Sequence, residues 1–222
     1  MLKIKQTAER KVYVTSDFHY NHNPKWTTPL HATRGYATFF DMNEDIIKKV
    51  NDIVRPNDIL FNLGDLSLNC DEFQCEDFLS KLNCQNIYLL WGNHNNPIAK
   101  IYRREVEKAL KNCDLISENI SPEIYPFRYK NVVFFGDYLE VMIDGRIVDM
   151  MHYPIDVWNH MKDGAYMLCG HSHYNLPETR HDWIEGLILD CGWEGKKAPY
   201  SFDEIVTIMR NKRVKAVDHH VN

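Results

Sequence analysis

Five apolar runs of β type each end in a short polar cluster, and this pattern most restricts the folds open to the chain. KVYVTS leads into Asp17-Phe18-His19, DILFNL into Gly64-Asp65, and NIYLLW into Gly92-Asn93-His94. IVDMM is followed by His152, and AYMLC by Gly170-His171-Ser172-His173. Buried strands that each deliver a carboxylate, amide or imidazole just past their carboxyl ends point to an α/β sheet, where binding chemistry gathers at those ends. Together the clusters read as a ligand set for two metal ions, because these donor types suit Zn, Mn or Fe.

Between the clusters, strand and helix alternate in the first half. Val12 to Ser16, Ile59 to Leu63 and Ile87 to Trp91 are β-branched or aromatic and read as strands. Asn43 to Val54 places Ile46, Ile47, Val50 and Val54 at helical spacing, with Pro56 beyond its end. Asp71 to Leu82 is a second helix, with Asp71 as N-cap and Phe73, Phe78, Leu79 and Leu82 on its apolar side. Ala99 to Leu110 is the third. The second half is richer in strands: Asn131 to Phe135, Tyr138 to Ile143, Arg146 to Met151, Tyr166 to Leu168 and Leu187 to Leu189, then a helix near Asp203 to Met209. Asp144-Gly145 between two of these strands is a strong hairpin signal. The expected fold is α/β: two stacked mixed sheets flanked by helices, with residues 1–222 forming one domain.

Composition excludes some classes. At 44% hydrophobic and 12% aromatic residues the chain is that of a soluble globular protein. A net charge of −5 argues against nucleic-acid binding through bulk electrostatics. No run approaches the roughly 20 apolar residues of a membrane span, and no signal-peptide pattern stands at the start, so a cytoplasmic protein is expected. The six cysteines contain no CxxC pair and read as reduced thiols. The tail from Lys212 to Asn222, with His219 and His220, is expected to be a solvated end. His160 and His181 are expected on the surface.

The order D-x-H, G-D, G-N-H, H, G-H-x-H resembles that of the calcineurin-like metallophosphoesterases, from Asp17 to His173. The likeness is nearest to the small single-domain bacterial and phage members, which share the Phe18-to-His22 loop and the Met42-Asn43-Glu44 helix start. The resemblance implies that Asp17, His19, Asp65 and His173 hold one metal and Asp65, Asn93, His152 and His171 the other, with Asp65 bridging. It further implies hydrolysis of a phosphoric ester by a metal-activated hydroxide, without a covalent enzyme intermediate. His94 would stabilise phosphate oxygens or protonate the leaving alkoxide. Manganese is favoured over iron and zinc for the two divalent ions.

Two positions depart from the family's pattern. The residue often found three places after Gly-Asp is missing here, unless Asn69 supplies it. Asn95 stands where an acid commonly follows the catalytic histidine. In the long loop from Asn21 to Tyr36, His22 and Arg34 are candidates for binding substrate phosphate, and Trp26 or Tyr36 for stacking on a base. Tyr153 and Trp158 either line the pocket or pack in a short turn. The expected substrate is a small phosphomonoester or phosphodiester, with nucleotides and cyclic nucleotides as candidates. The alternatives are a nuclease and a non-catalytic, metal-stabilised binding module. The oligomeric state is not legible.

Overall fold

The computed structural model describes residues 1–111, 123–175 and 186–214. In chain order the strands are β1 (Leu2–Ile4), β2 (Val12–Thr15), β3 (Ile59–Asn62), β4 (Ile87–Leu89), β5 (Phe127–Tyr129) and β6 (Val132–Phe134). Then come β7 (Tyr138–Ile143), β8 (Arg146–Met151), β9 (Tyr166–Cys169), β10 (Ile188–Asp190) and β11 (Tyr200–Ser201). The described helices are α1 (Leu30–Thr33), α2 (Phe39–Ile53), α3 (Glu72–Lys81), α4 (Asn96–Lys111) and α5 (Phe202–Met209).

Two mixed sheets result, as expected. One runs β11-β2-β3-β4-β6-β5, with β2, β3, β4 and β6 parallel and antiparallel strands at both edges. The other runs β1-β7-β8-β9-β10, in which only the β7–β8 pair is antiparallel. That pair is the predicted hairpin. Its turn residues Asp144 and Gly145 both have positive φ, 48° and 81°, which an Asp-Gly turn tolerates.

The period of two in each strand sorts its residues between layers. Val12, Val14, Ile59, Phe61 and Leu63 of the first sheet meet Val148, Met150, Tyr166 and Leu168 of the second, and α5 closes the edge of this core. The alternate residues Leu60, Ile87, Leu89, Val132 and Phe134 face away, against α2, α3 and α4. The outer face of the second sheet carries Met167, Cys169 and Ile188 under Trp158 and Met161 of the 153–165 segment. A strand buried on both faces explains why the apolar runs are nearly continuous.

Several boundaries differ from expectation for local reasons. Helix α2 begins four residues before Asn43, because Thr38 and Asp41 form a reciprocal capping box that starts the helix earlier. Phe73 is not on the apolar side of α3: it is 78% exposed, whereas Cys75, Phe78 and Leu79 are buried. Asp71 caps α3 as predicted, accepting from Gln74 N–H. Strands β1 and β5 are short edge strands without strong patterning. The long loop includes the single turn α1. Among the described residues no helix is long and apolar enough to cross a membrane. Cys70, Cys75, Cys84, Cys169 and Cys191 are free thiols. Cys113, His181, His219, His220 and the tail beyond residue 214 lie outside the described residues. His160 is exposed.

Candidate metal centre

Because β2, β3 and β4 are parallel neighbours, their carboxyl ends leave on one edge, and Asp17, Asp65 and Asn93 follow directly. β8 and β9 are also parallel and deliver His152 and His171 to the same edge. The first two loops then run side by side. Asp17 N–H donates to Gly64 O at 3.1 Å, His19 N–H to Asp65 O at 3.0 Å and Tyr20 N–H to Leu66 O at 3.1 Å. Between the two ligand-type residues, Phe18 points into the core, edge-on to Phe78 and Trp193.

These loops turn through left-handed residues rather than running extended. Asp17, His19, Asp65, His171 and His173 have φ of 57°, 47°, 52°, 66° and 51°. Such backbone is costly for residues with a Cβ, by roughly 1–3 kcal/mol each, and it persists only where surroundings over-determine it. Close approach adds a second constraint. A Cβ on Gly64 would lie 2.7 Å from Gly92 Cα and 2.7 Å from His152 Nδ1, and one on Gly92 would lie 2.2 Å from Asp65 Oδ1. Glycine at both positions therefore lets the second and third clusters touch.

The side chains converge. Asp65 Oδ2 lies 3.5 Å from His19 Nε2 and 3.5 Å from His152 Nε2, the place a bridging carboxylate needs. Asp17 Oδ1 lies 3.7 Å from His19 Nε2 and 3.9 Å from His173 Nε2. Asn93 Oδ1 is 2.9 Å from His152 Nε2 and 2.9 Å from His171 Nδ1. Two groups of three, Asp17-His19-His173 and Asp17-Asp65-His152, each offer ligand atoms within 4.8 Å of one another. The carboxylate–imidazole separations, 3.5 to 3.9 Å, are long for hydrogen bonds yet fit around an ion whose own bonds are roughly 2.0–2.2 Å.

The donor set fits divalent metal on a further ground. Asp17 Oδ1 and both ring nitrogens of His19 are buried with no hydrogen-bond partner among the described residues. Buried carboxylates are otherwise paired or metal-bound. Burial alone would raise the Asp17 carboxyl, but the facing imidazoles of His19, His152 and His173 pull it down to about 2. Burial lowers the pKa of His19 and of His171, so both present neutral rings with free lone pairs. His152 Nδ1–H donates to Leu63 O at 2.9 Å, which leaves Nε2 as its ligand atom.

The family pattern of the calcineurin-like phosphoesterases matches residues 10–217. The chain belongs to that family. The candidate ligand clusters have the carboxylate and imidazole donors that divalent metals take. Over 87 residues, 39% of the chain, it is 33% identical to the uncharacterized protein MJ1445 of Methanocaldococcus jannaschii. The chain spans about half the length of that relative, 47%. Its fold is similar to the crystal structure of AQ665, a protein of unknown function from Aquifex aeolicus. The TM-score is 0.58 at 18% identity, covering 90% of this chain and 99% of that one.

Other residues that the sequence singled out occupy distinct places in this calcineurin-like phosphoesterase. His94 is exposed, its ring 5.7 Å from that of His19, and its N–H donates to Asp65 Oδ1 at 2.8 Å. Asn95 does not turn toward His94; its amide donates to Gly92 O at 2.5 Å. His22 has its ring 5.9 Å from that of His19, and its Nδ1 accepts Leu30 N–H at 3.0 Å. Burial, with His19 and Arg34 nearby, lowers its pKa to about 4. Arg34 differs from the expected phosphate contact. It is 3% exposed, and its guanidinium donates to Asp17 O, Phe18 O and Glu194. Tyr36 is tied to Asp45 and Trp26 is exposed. Tyr153 lies against His171, while Trp158 is core.

Three supporting residues carry no motif signal. Asn62, two positions before Gly64, accepts Gly64 N–H at 3.0 Å, a support placed ahead of Asp65 rather than at Asn69. Asp190 accepts the N–H of Tyr174 and of Gly192, each at 2.8 Å, and the Ser172 hydroxyl, organising the His171–His173 turn. Glu194 accepts from His173 Nδ1 at 2.8 Å. An acid following Gly192-Trp193 was the only visible hint of the last.

Proposed function

We propose that the chain is a single-domain, cytoplasmic, dinuclear phosphoesterase acting on a small phosphorylated substrate, with manganese as the working metal. The observation that carries this is the buried, unpartnered Asp17 Oδ1 and His19 ring beside an Asp65 oxygen 3.5 Å from two imidazoles. Asp17, His19, Asp65 and His173 would hold one ion, and Asp65, Asn93, His152 and His171 the other. Bound there, two such ions lower the pKa of a water and clamp the attacking and leaving oxygens of an in-line displacement. The protein's part is to orient substrate and move a proton. His94, exposed at the mouth, donates the proton to the leaving alkoxide. His22, with Nδ1 engaged by Leu30, offers Nε2 to a phosphate oxygen.

Two clefts favour a substrate with groups on both sides of phosphorus. One, of about 390 Å³, starts at Gly92 and Asn93 and is walled by Trp91, Tyr102 and Tyr125. The other, of about 750 Å³, is bordered by His171, His173, Tyr174 and Lys197. Asn93 of the first and His171 of the second touch, at 2.9 Å. A phosphodiester of nucleotide size fits this layout, and the free thiols agree with a reducing compartment.

The test is hydrolysis of a nitrophenyl phosphomonoester beside the bis-nitrophenyl diester, with Mn²⁺ and with chelator. Mn²⁺-dependent turnover of the diester is expected. Turnover of the monoester alone would remove the diester preference, and metal-independent turnover would overturn the dinuclear mechanism.

A further inference from the structure

Arg34 lies in the loop between β2 and α2, at the C-cap of α1, yet its side chain is buried beneath the first ligand cluster. Its Nη2 donates to Asp17 O at 2.6 Å and its Nη1 to Phe18 O at 2.8 Å. These carbonyls belong to the left-handed turn whose φ values are 57° at Asp17 and 47° at His19. A buried carbonyl left without a donor costs free energy, so the guanidinium supports a backbone that would not hold this shape alone. The same guanidinium meets Glu194 Oε1 from Nε at 2.8 Å and from Nη2 at 2.7 Å. Glu194 Oε1 also accepts from His173 Nδ1 at 2.8 Å. Fixing the proton on Nδ1 leaves Nε2 bare, 3.9 Å from Asp17 Oδ1. Lys197 completes the arrangement by donating to Arg34 O at 2.6 Å.

One cation therefore grips both pieces of chain that form one half of the centre, Asp17-Phe18-His19 directly and His173 through Glu194. Among the described residues the other half has no such device: His152 is oriented by a backbone carbonyl, and Asn93 and His171 by each other. We propose that Arg34 and Glu194 are positioning residues that tune metal affinity at the Asp17-His19-His173 half, and that Arg34 does not bind substrate phosphate. This rests on the dinuclear reading above.

The two roles for Arg34 separate cleanly. A phosphate-binding arginine would leave metal affinity unchanged and raise KM; a positioning arginine does the reverse. The experiment titrates Mn²⁺ alone into the metal-free full-length chain by calorimetry, for wild type, Glu194→Gln, Arg34→Lys and Arg34→Gln. Metal content after dialysis and KM at saturating Mn²⁺ are measured beside it. Glu194→Gln keeps shape and an acceptor oxygen, so it tests the pair even if the Arg34 variants do not fold. Expected is a loss of about 10–100-fold in affinity for one of the two ions, the other unchanged, with KM near wild type once Mn²⁺ saturates. Two wild-type affinities preserved in Glu194→Gln would overturn the positioning role and leave the dinuclear centre standing. A wild type that binds no Mn²⁺ would overturn both.

Discussion

The floor and the rim of the centre are built by different means. On the floor, Asp17, His19, Asp65 and His152 are buried, on backbone locked by inter-loop hydrogen bonds, packed glycines and the Phe18 anchor. On the rim, Asn93, His94 and His171 are exposed. The Asn93 and His171 side chains hold each other, and among the described residues no carboxylate hydrogen bonds to the His94 ring. The difference teaches where rigidity is needed. Ligands that must stay apart without metal, with two carboxylates in a dry place, need a frame. Ligands that close over an ion or meet substrate can wait for it.

The largest effect should come from the floor. Asp65→Ala removes the carboxylate oxygen that lies 3.5 Å from both His19 and His152, so activity should fall to background and both ions should be lost on dialysis. Retention of either ion would break the distinction. Next, His94→Ala should keep both ions and lose about 10²–10⁴-fold in kcat, most with poor leaving groups. A flat dependence on leaving-group pKa would take His94 out of proton transfer.

A rim ligand should behave more gently than a floor ligand. His171→Ala should lose one ion on dialysis and regain activity in excess Mn²⁺, whereas His19→Ala should not be rescued. Equal rescue would erase the contrast. Smaller still, His22→Ala should raise KM by roughly 3–10-fold, the worth of one hydrogen bond to substrate. Unchanged KM would return that loop to a structural role.

The smallest prediction compares two buried carboxylates. Asp17 faces imidazoles and stays ionised, whereas Asp149 in β8 has a carboxylate, Glu140, as its cross-strand neighbour. Burial, with Glu140 directly across the strand pair, pushes Asp149 up to about 6 despite its bond from Tyr138 and the nearby His160. Its folded pKa exceeds the unfolded one, so the fold prefers the protonated form. Stability is then fully present at low pH and is lost as pH rises toward 6, on the order of 1 kcal/mol. Melting of metal-free wild type and Asp149→Asn at pH 5 and 8 checks the sign: the variant should lose less on going to pH 8.

Much of this was readable along the chain, because strand runs and the residues just past them are local. The capped helix at Asp71, the Asp144-Gly145 hairpin and the strand-to-cluster transitions all depend on near neighbours. What resisted reading has a common cause. Phe73 looks apolar, but its side of α3 faces solvent. Thr38 starts α2 early through a bond to Asp41 that hydrophobic spacing does not register. Arg34 looks like a phosphate ligand in a polar loop, yet its partner Glu194 lies 160 positions away.

By itself, then, the sequence determined the alternation of strands and helices, the pairing of glycine with ligand-type residues, and the chemical class of the centre. These follow from side-chain period, turn chemistry and donor type. Tertiary structure alone decided which candidate ligands are buried as the floor and which stand exposed as the rim, and that the Arg34 guanidinium is spent on the Asp17 and Phe18 carbonyls and on Glu194. The physical reason is that burial and long-range hydrogen bonds belong to pairs of distant segments, and neither member of such a pair carries the information alone.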